Sequence, residues 1–175
     1  MSLPASIRER LKIPVIAAPM FLVSGPELVI AACQSGIIGP FPAMNCRSSE
    51  DFAGWMTQID AATGPHTAPY AVNMGLARMR GERLIADMDI CRKFKPEFVI
   101  TAVGNPAPVV DDIHEWGGLI LHDVTTIKHA QKAIEAGVDG LVLVCAGAGG
   151  HGGPVSPLAL VEQVRSFFDG IIVVA

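Results

Sequence analysis

The sequence predicts an α/β fold, a parallel sheet with helical crossovers, and three observations carry this reading. Short apolar runs alternate with segments of helical period along the whole chain. The connections between them are a few residues long and are punctuated by 18 Gly and 13 Pro. Half of the residues are hydrophobic and only 17% are charged, with a mean hydropathy of +0.42. A sheet covered on both faces reads as such continuous Val/Ile/Leu bursts. This composition excludes disorder. The longest apolar runs, such as residues 140–148 (GLVLVCAGA), fall far short of the roughly 20 residues a membrane-spanning helix needs.

Each element follows from local signals. Residues 14–18 (PVIAA) are the first predicted strand. Residues 26–35 form a helix, with Ser24 as its expected N-cap, Pro26 in the first turn and Gly36 as its stop. Residues 37–41 are the second strand. Residues 49–62 form a helix with acidic residues in the first turn, where the macrodipole favours them. Residues 70–74 (YAVNM) are the third strand. Residues 82–94 form a helix with Arg92 and Lys93 at its C-terminal end. Residues 97–103 are the fourth strand, and 108–116 a helix stopped by Gly117 and Gly118. Residues 119–123 (LILHD) are the fifth strand, 126–136 a helix ended by Gly137, and 140–145 the sixth strand. Residues 157–168 form a helix capped by Ser156, and 171–175 (IIVVA) are a seventh strand.

A strict β-α alternation with short connections fits two architectures, an open doubly wound sheet and an eight-stranded (β/α)8 TIM barrel. About six βα units plus a seventh strand overrun the common open sheets. A barrel wants eight units over about 250 residues. The expectation is therefore one domain, residues 1–175, an incomplete TIM barrel truncated before strand eight.

Charge and cysteine content narrow the setting. A net charge of -4 offers no basic footprint for nucleic acid or anionic lipid. The segment 1–10 (MSLPASIRER) has no apolar core of a secretory signal. Cys33, Cys46, Cys91 and Cys145 are scattered with no CxxC pair, which reads as free, buried thiols in a reducing cytoplasm. No pair of histidines has metal-ligand spacing, so no metal site is expected.

In a parallel barrel the chemistry belongs at the C-terminal ends of the strands. There the chain places Ala18, Pro19 and Met20, then Asn73, then His122 and Asp123, then the loop 147–153. Small residues dominate and charges are few, which suits a flat, uncharged aromatic ring close to the backbone. Five of the seven residues in 147–153 (GAGGHGG) are Gly. The loop lies late in the chain, is followed by Pro154, and is not a dinucleotide fingerprint; no Lys-Ser/Thr follows, which excludes a P-loop. No GxSxG elbow is present. His151 is its one titratable side chain, a proton carrier or else a hydrogen-bonded loop histidine. His122 reads as a site residue or as a group orienting a neighbour. Asn73 can serve a ring's imide edge or cap its strand. Pro19 and Met20 form a packing corner or cover a planar ring. The Met residues within 74–79 read as packing.

At 13–20 (IPVIAAPM), 71–74 (AVNM), 121–125 (LHDVT) and above all 145–153 (CAGAGGHGG), the sequence resembles the nitronate monooxygenase family, formerly called 2-nitropropane dioxygenases. The resemblance covers essentially the whole chain. A flavin-dependent enoyl-acyl-carrier-protein reductase shares the family's fold and a similar glycine–histidine loop; IMP dehydrogenase is a more distant relative. The resemblance implies a cytoplasmic FMN flavoprotein, a monooxygenase that oxidises alkyl nitronates or nitroalkanes with O2 to carbonyl compounds and nitrite. It implies that Ala18, Pro19 and Met20 approach the flavin through the backbone, that Asn73 bonds its polar edge, and that His122 lies near it. Gly147, Gly149 and Gly150 would let the loop come close, and His151 would face the substrate as a base or polarising donor. The partners implied are the small-molecule substrate and O2, with homo-oligomerisation left open, and neither nucleic acid nor membrane. The alternatives are an FMN- and NAD(P)H-dependent enoyl reductase and a non-catalytic barrel fragment. Two positions depart from the family's common pattern. Ala17-Ala18-Pro19-Met20 stands where many relatives have Gln-Gly-Gly-Met, and Asp123 where many have Lys. The phosphate-binding loops after strands seven and eight are expected beyond residue 175.

Overall fold

Parallel strands joined by helices account for nearly all regular structure in the computed structural model, which describes residues 3–79 and 81–175. The strands are β1 (Gly39–Pro42), β2 (Tyr70–Gly75), β3 (Phe98–Ala102), β4 (Leu119–Val124), β5 (Gly140–Leu143) and β6 (Ile171–Val174). They pair in sequence order and every pairing is parallel. The helices are α1 (Ala5–Arg8), α2 (Pro26–Gln34), α3 (Ser49–Ala62), α4 (Glu82–Phe94), α5 (Ala107–Glu115), α6 (Ile127–Glu135) and α7 (Pro157–Arg165). This is the α/β alternation of a partial (β/α) barrel.

Several helix ends have plain causes. Ser48 caps α3, its hydroxyl accepting from Asp51 N–H while the Asp51 carboxylate accepts from Ser48 N–H; this capping box satisfies two otherwise orphaned donors. Thr126 caps α6 by accepting from His129 N–H. Arg92 and Lys93 close the last turn of α4, and Lys95 ends it in the left-handed region at φ 52°. Asp87 is fully buried on α4, paired with Arg83 at 2.7 Å and accepting from the Ser49 hydroxyl at 2.7 Å. Arg83 also donates to the Arg47 and Cys46 carbonyls, which fastens α4 to the start of α3.

Three expectations need correction. Residues 14–18 are not a strand: Ile16 forms a single parallel bridge to Ile38, held by Ile38 N–H to Val15 O and Ala17 N–H to Ile38 O. Pro14 and Pro19 bracket the segment and have no N–H to extend the ladder. Among the described residues the sheet therefore has six strands rather than seven, and β1 starts two residues later than the predicted 37. Ser24 does not cap α2. Gly25 does, and the Ser24 hydroxyl instead accepts from Met20 N–H. Ser156 holds the N-cap position of α7 without a side-chain bond. Helix α1 and a 3-10 turn at Ala43–Asn45 lie below the length at which periodicity is readable.

Strand parity divides the core in two. Val72, Met74, Val99, Ile120, Val124 and Leu141 face the helices and pack with Phe52, Met56 and Ile113. Ala71, Phe98, Ile100, Leu121 and Val142 face the other way, into what a closed barrel would enclose, and Ile7 of α1 packs with them. Each large side chain taken from water in these layers contributes roughly 1.5–3 kcal/mol. Met74 and Met79 are buried packing residues, as expected. All four cysteines are free and buried, and burial pushes the Cys33 and Cys46 thiols up to about 11 and about 12.

Candidate active site

The C-terminal ends of the strands gather most of the predicted residues. Ala18, Pro19 and Met20 follow the Ile16 bridge and lead into a tight turn. Asn45 fastens that turn. It accepts from Leu22 N–H at 2.9 Å and donates to the carbonyls of Met20 and Ser24. The result presents Met20, Phe21, Leu22 and Val23 to solvent, with Leu22 at φ 61°.

Asn73 lies on the inner face of β2, beside Ile100 of β3 in register. Its amide nitrogen donates to the Ile100 carbonyl at 3.3 Å, and its Oδ1 has no partner among the described residues. One of its two N–H donors is thus spent on the sheet, and its oxygen is free.

The loop after β5 is a closed excursion. Ala146 N–H bonds to Val155 O at 2.8 Å, and Gly153 N–H to Val144 O at 3.1 Å. The glycines do different work within it. A Cβ on Gly153 would stand 2.5 Å from Val144 O, so this residue is glycine because the backbone folds onto itself. A Cβ on Gly147, Gly149 or Gly150 would meet nothing within 4 Å. Gly147 and Gly150 have φ of 97° and 116°, which an L side chain resists. His151 is exposed beside this open space and has no hydrogen-bond partner among the described residues.

His122 is not brought together with these groups. Parity places it with Ile120 and Val124 on the helix-facing side, where it is 6% exposed. Its Nδ1 lies 2.8 Å from the Thr101 hydroxyl, and Thr101 donates its one proton to Leu121 O. That leaves the hydroxyl to accept from Nδ1–H, which leaves Nε2 without a proton. Burial, with a smaller contribution from His129, lowers the imidazole from 6.5 to about 4, so it is neutral at physiological pH. The residue sharing its strand end on the inner face is Asp123, which sequence reasoning noted only as a departure. The alternation from Leu119 was the signal: 119, 121 and 123 share one face.

The other histidines are exposed, two of them with local partners: His114 with Asp139 and His129 with Thr125. A cavity of about 560 Å³ opens at the opposite, N-terminal end of the strands, near Arg10, Tyr70 and Glu97. Its Arg10 is spent on Glu97 and the Thr67 carbonyl, and none of the glycine-loop groups reaches it.

Comparison with known proteins gives the family and the fold. The profile of the nitronate monooxygenase family matches residues 75–175. A nitronate monooxygenase of Paraburkholderia phytofirmans is 29% identical, over 88% of this chain and 51% of its own. A (3aS,4S,5R,7aS)-5-hydroxy-7a-methyl-1-oxo-octahydro-1H-indene-4-carboxyl-CoA dehydrogenase of Mycobacterium tuberculosis is 25% identical, over 90% and 42%. FabK from Thermotoga maritima superposes with a TM-score of 0.81 at 20% identity, covering 99% of this chain and 54% of that one. Nitroalkane oxidase from Streptomyces ansochromogenes superposes at 0.80 with 21% identity, covering 97% and 60%. These two share the fold. The chain spans about half the length of the curated relatives it matches. With the profile covering more than half of its residues, glycine–histidine loop included, the chain belongs to the nitronate monooxygenase family.

Proposed function

We propose that residues 1–175 are part of a single FMN-binding barrel domain of a cytoplasmic flavin oxidoreductase. It oxidises alkyl nitronates or nitroalkanes with O2 to carbonyl compounds and nitrite. The observation that carries this reading is the loop after β5: three glycines border open space, and an exposed, unpartnered histidine stands beside them. The residues present fit a planar cofactor. The free Oδ1 of Asn73 suits an N–H on the ring's polar edge, and the backbone of Ala18, Pro19 and Met20 borders the same mouth. When bound, FMN supplies the two-electron redox chemistry, and the protein supplies position and electrostatics.

In this reading Gly147, Gly149 and Gly150 admit the ring against the backbone, and Asn73 fixes its orientation. His151 faces the substrate and donates toward a nitro or nitronate oxygen. His122 acts from behind the sheet, its bond to Thr101 tying the ends of β3 and β4 together. Four buried free thiols fit a reducing compartment.

The test is made on the full-length protein. It is titrated with FMN, then assayed for O2 uptake with propyl-2-nitronate. We expect saturable flavin binding and nitronate-dependent uptake that releases nitrite. A protein that binds FMN, ignores nitronates and consumes NADH with an enoyl thioester is an enoyl reductase instead. One that stays colourless with excess FMN is not a flavoenzyme. In His151→Ala, turnover should fall roughly 10²-fold or more with flavin still bound.

A further inference from the structure

Two loops at the C-terminal end of the sheet carry a cluster of arginines. The loop after β1 supplies Met44, Cys46 and Arg47, and the loop after β2 supplies Arg78 and Met79. With Arg83, in the first turn of α4, they line a cavity of about 300 Å³, at the lower bound of small-molecule sites. No carboxylate lines it among the described residues. This runs against the character of a chain whose net charge is -4.

The three arginines do different work. Arg83 is spent: it pairs with the buried Asp87 at 2.7 Å and donates to the carbonyls of Cys46 and Arg47, each at 3.1 Å. These bonds hold the loop that carries Arg47. The second loop is held by Arg78 N–H and Met79 N–H, which both donate to Gly75 O at 2.9 Å. Arg47 and Arg78 are exposed, and neither guanidinium has a hydrogen bond or an ion pair among the described residues. Cys46 adds no charge, because burial keeps its thiol protonated. Asp87 offsets Arg83, and the charges of Arg47 and Arg78 stay uncompensated at one opening, on backbone fixed in place. Like charges gathered in this way repel one another until an anion joins them. A guanidinium is planar and always charged, and its paired N–H groups match two oxygens of a phosphate.

We propose that Arg47 and Arg78 form a subsite for a phosphate group carried at the far end of a ligand whose other end enters the mouth. Asn73 lies on β2, the strand that leads into Arg78, and the glycine–histidine loop follows β5. In the sheet order β2 and β5 are separated by β3 and β4, roughly 15 Å along the sheet. A phosphate must therefore sit on a long arm to reach the arginines while the reacting end lies near His151. A nitroalkane of a few carbons does not reach. Coenzyme A thioesters and NADPH both present this chemistry, one as a substrate tail and the other as a reductant. Arg47 and Arg78 bind and orient, and no bond is made or broken at them. The place of the reacting end rests on the flavin-site reading above; the anion affinity of the arginines does not.

The test is binding to the full-length, FMN-loaded protein, measured by calorimetry at low and high salt. The probes are coenzyme A, pantetheine, NADP+ and inorganic phosphate. We expect coenzyme A or NADP+ to bind about tenfold or more tightly than inorganic phosphate, with an affinity that falls as salt rises. Arg47→Gln combined with Arg78→Gln should weaken that ligand about tenfold or more and remove most of its salt dependence, with FMN affinity and the urea midpoint unchanged. Arg47→Lys combined with Arg78→Lys should keep only part of the affinity, because an ammonium lacks the planar fork. Coenzyme A binding that exceeds pantetheine binding and is lost in the Gln variant identifies a substrate tail. NADP+ binding that is lost in the same variant identifies a reductant. Equal affinities in wild type and Gln variant overturn the subsite, as does a wild type that binds neither organic ligand. A Gln variant that loses FMN as well gives the arginines to the flavin and overturns it too. So does inorganic phosphate that binds as tightly as either organic ligand, since no arm then joins the cavity to the mouth. Arginine-dependent binding in a protein that oxidises no nitronate leaves the subsite standing and sinks the oxidation reading.

Discussion

His122 and Asp123 are neighbours in one strand, and the sheet gives them opposite surroundings. His122 points toward the helices, where its Nδ1 meets the Thr101 hydroxyl. Asp123 points to the inner face, with no partner among the described residues, and Asn73 there spends only one amide N–H. Burial shifts both groups toward neutrality, lowering the imidazole to about 4 and raising the carboxyl to about 6. The difference teaches where to look for chemistry. A buried polar group with a full set of partners is architecture; one left without partners at a strand end is available to a ligand.

The pair also makes opposed demands on stability, and breaking either one should expose the other. The folded state binds a proton at Asp123 more tightly than the unfolded chain does. Its contribution is therefore fully favourable below about pH 4 and is lost as pH rises toward 6. The folded state holds His122 neutral, so its contribution is complete above about pH 6.5 and is lost as pH falls toward 4. At about 1.4 kcal/mol per pKa unit, each shift corresponds to about 3 kcal/mol. In the wild type the two slopes oppose one another between pH 4 and 6. Asp123→Asn should leave only the His122 slope: a protein about 3 kcal/mol less stable at pH 4 than at pH 7. His122→Leu should leave only the Asp123 slope, with stability falling from pH 4 to pH 7. Urea melts across that range check both, and parallel profiles in the two variants would refute the opposed-face account.

The helix-facing half of the molecule was more legible in the sequence than the inner half. Helices α3 and α4 fall on the residues their patterns mark, because acidic first turns, basic last turns and apolar spacing are all local. The alternation that assigns parallel strands is local too. The turn at Met20–Ser24 was not readable, because Asn45, which ties it, lies 21 residues away from Ser24. The segment 14–18 looks like a strand by composition, yet its pairing depends on neighbours it does not contain. His122 was picked by residue type, and only the parity set by Leu119 shows that it faces the helices while Asp123 faces the inner side.

Smaller effects sharpen the contrast between architecture and availability. Gly153→Ala would set a methyl group 2.5 Å from the Val144 carbonyl and 3.1 Å from Thr125 Cβ. Such overpacking costs about 2 kcal/mol, visible as a lowered urea midpoint with or without flavin. Asn45→Ala removes the three bonds that hold the Met20–Ser24 turn. That turn is exposed, so the cost should be about 1 kcal/mol, read in the same melts.

Gly149→Ala should have the smallest effect on stability and the clearest effect on binding. The added methyl meets nothing within 4 Å, and the backbone there is not in the left-handed region. A change of that kind usually stays within about 0.5 kcal/mol, so the flavin-free melting curve should match the wild type. If the empty space beside Gly149 is where a planar ring approaches the backbone, the same methyl occupies part of it, and FMN affinity should fall about tenfold or more. Gly153→Ala works in reverse, costing stability first and affinity only through distortion. Measuring melts and FMN titrations on both variants thus separates a glycine the fold requires from one the ligand requires. Equal losses of stability in the two would show that both glycines serve the loop alone.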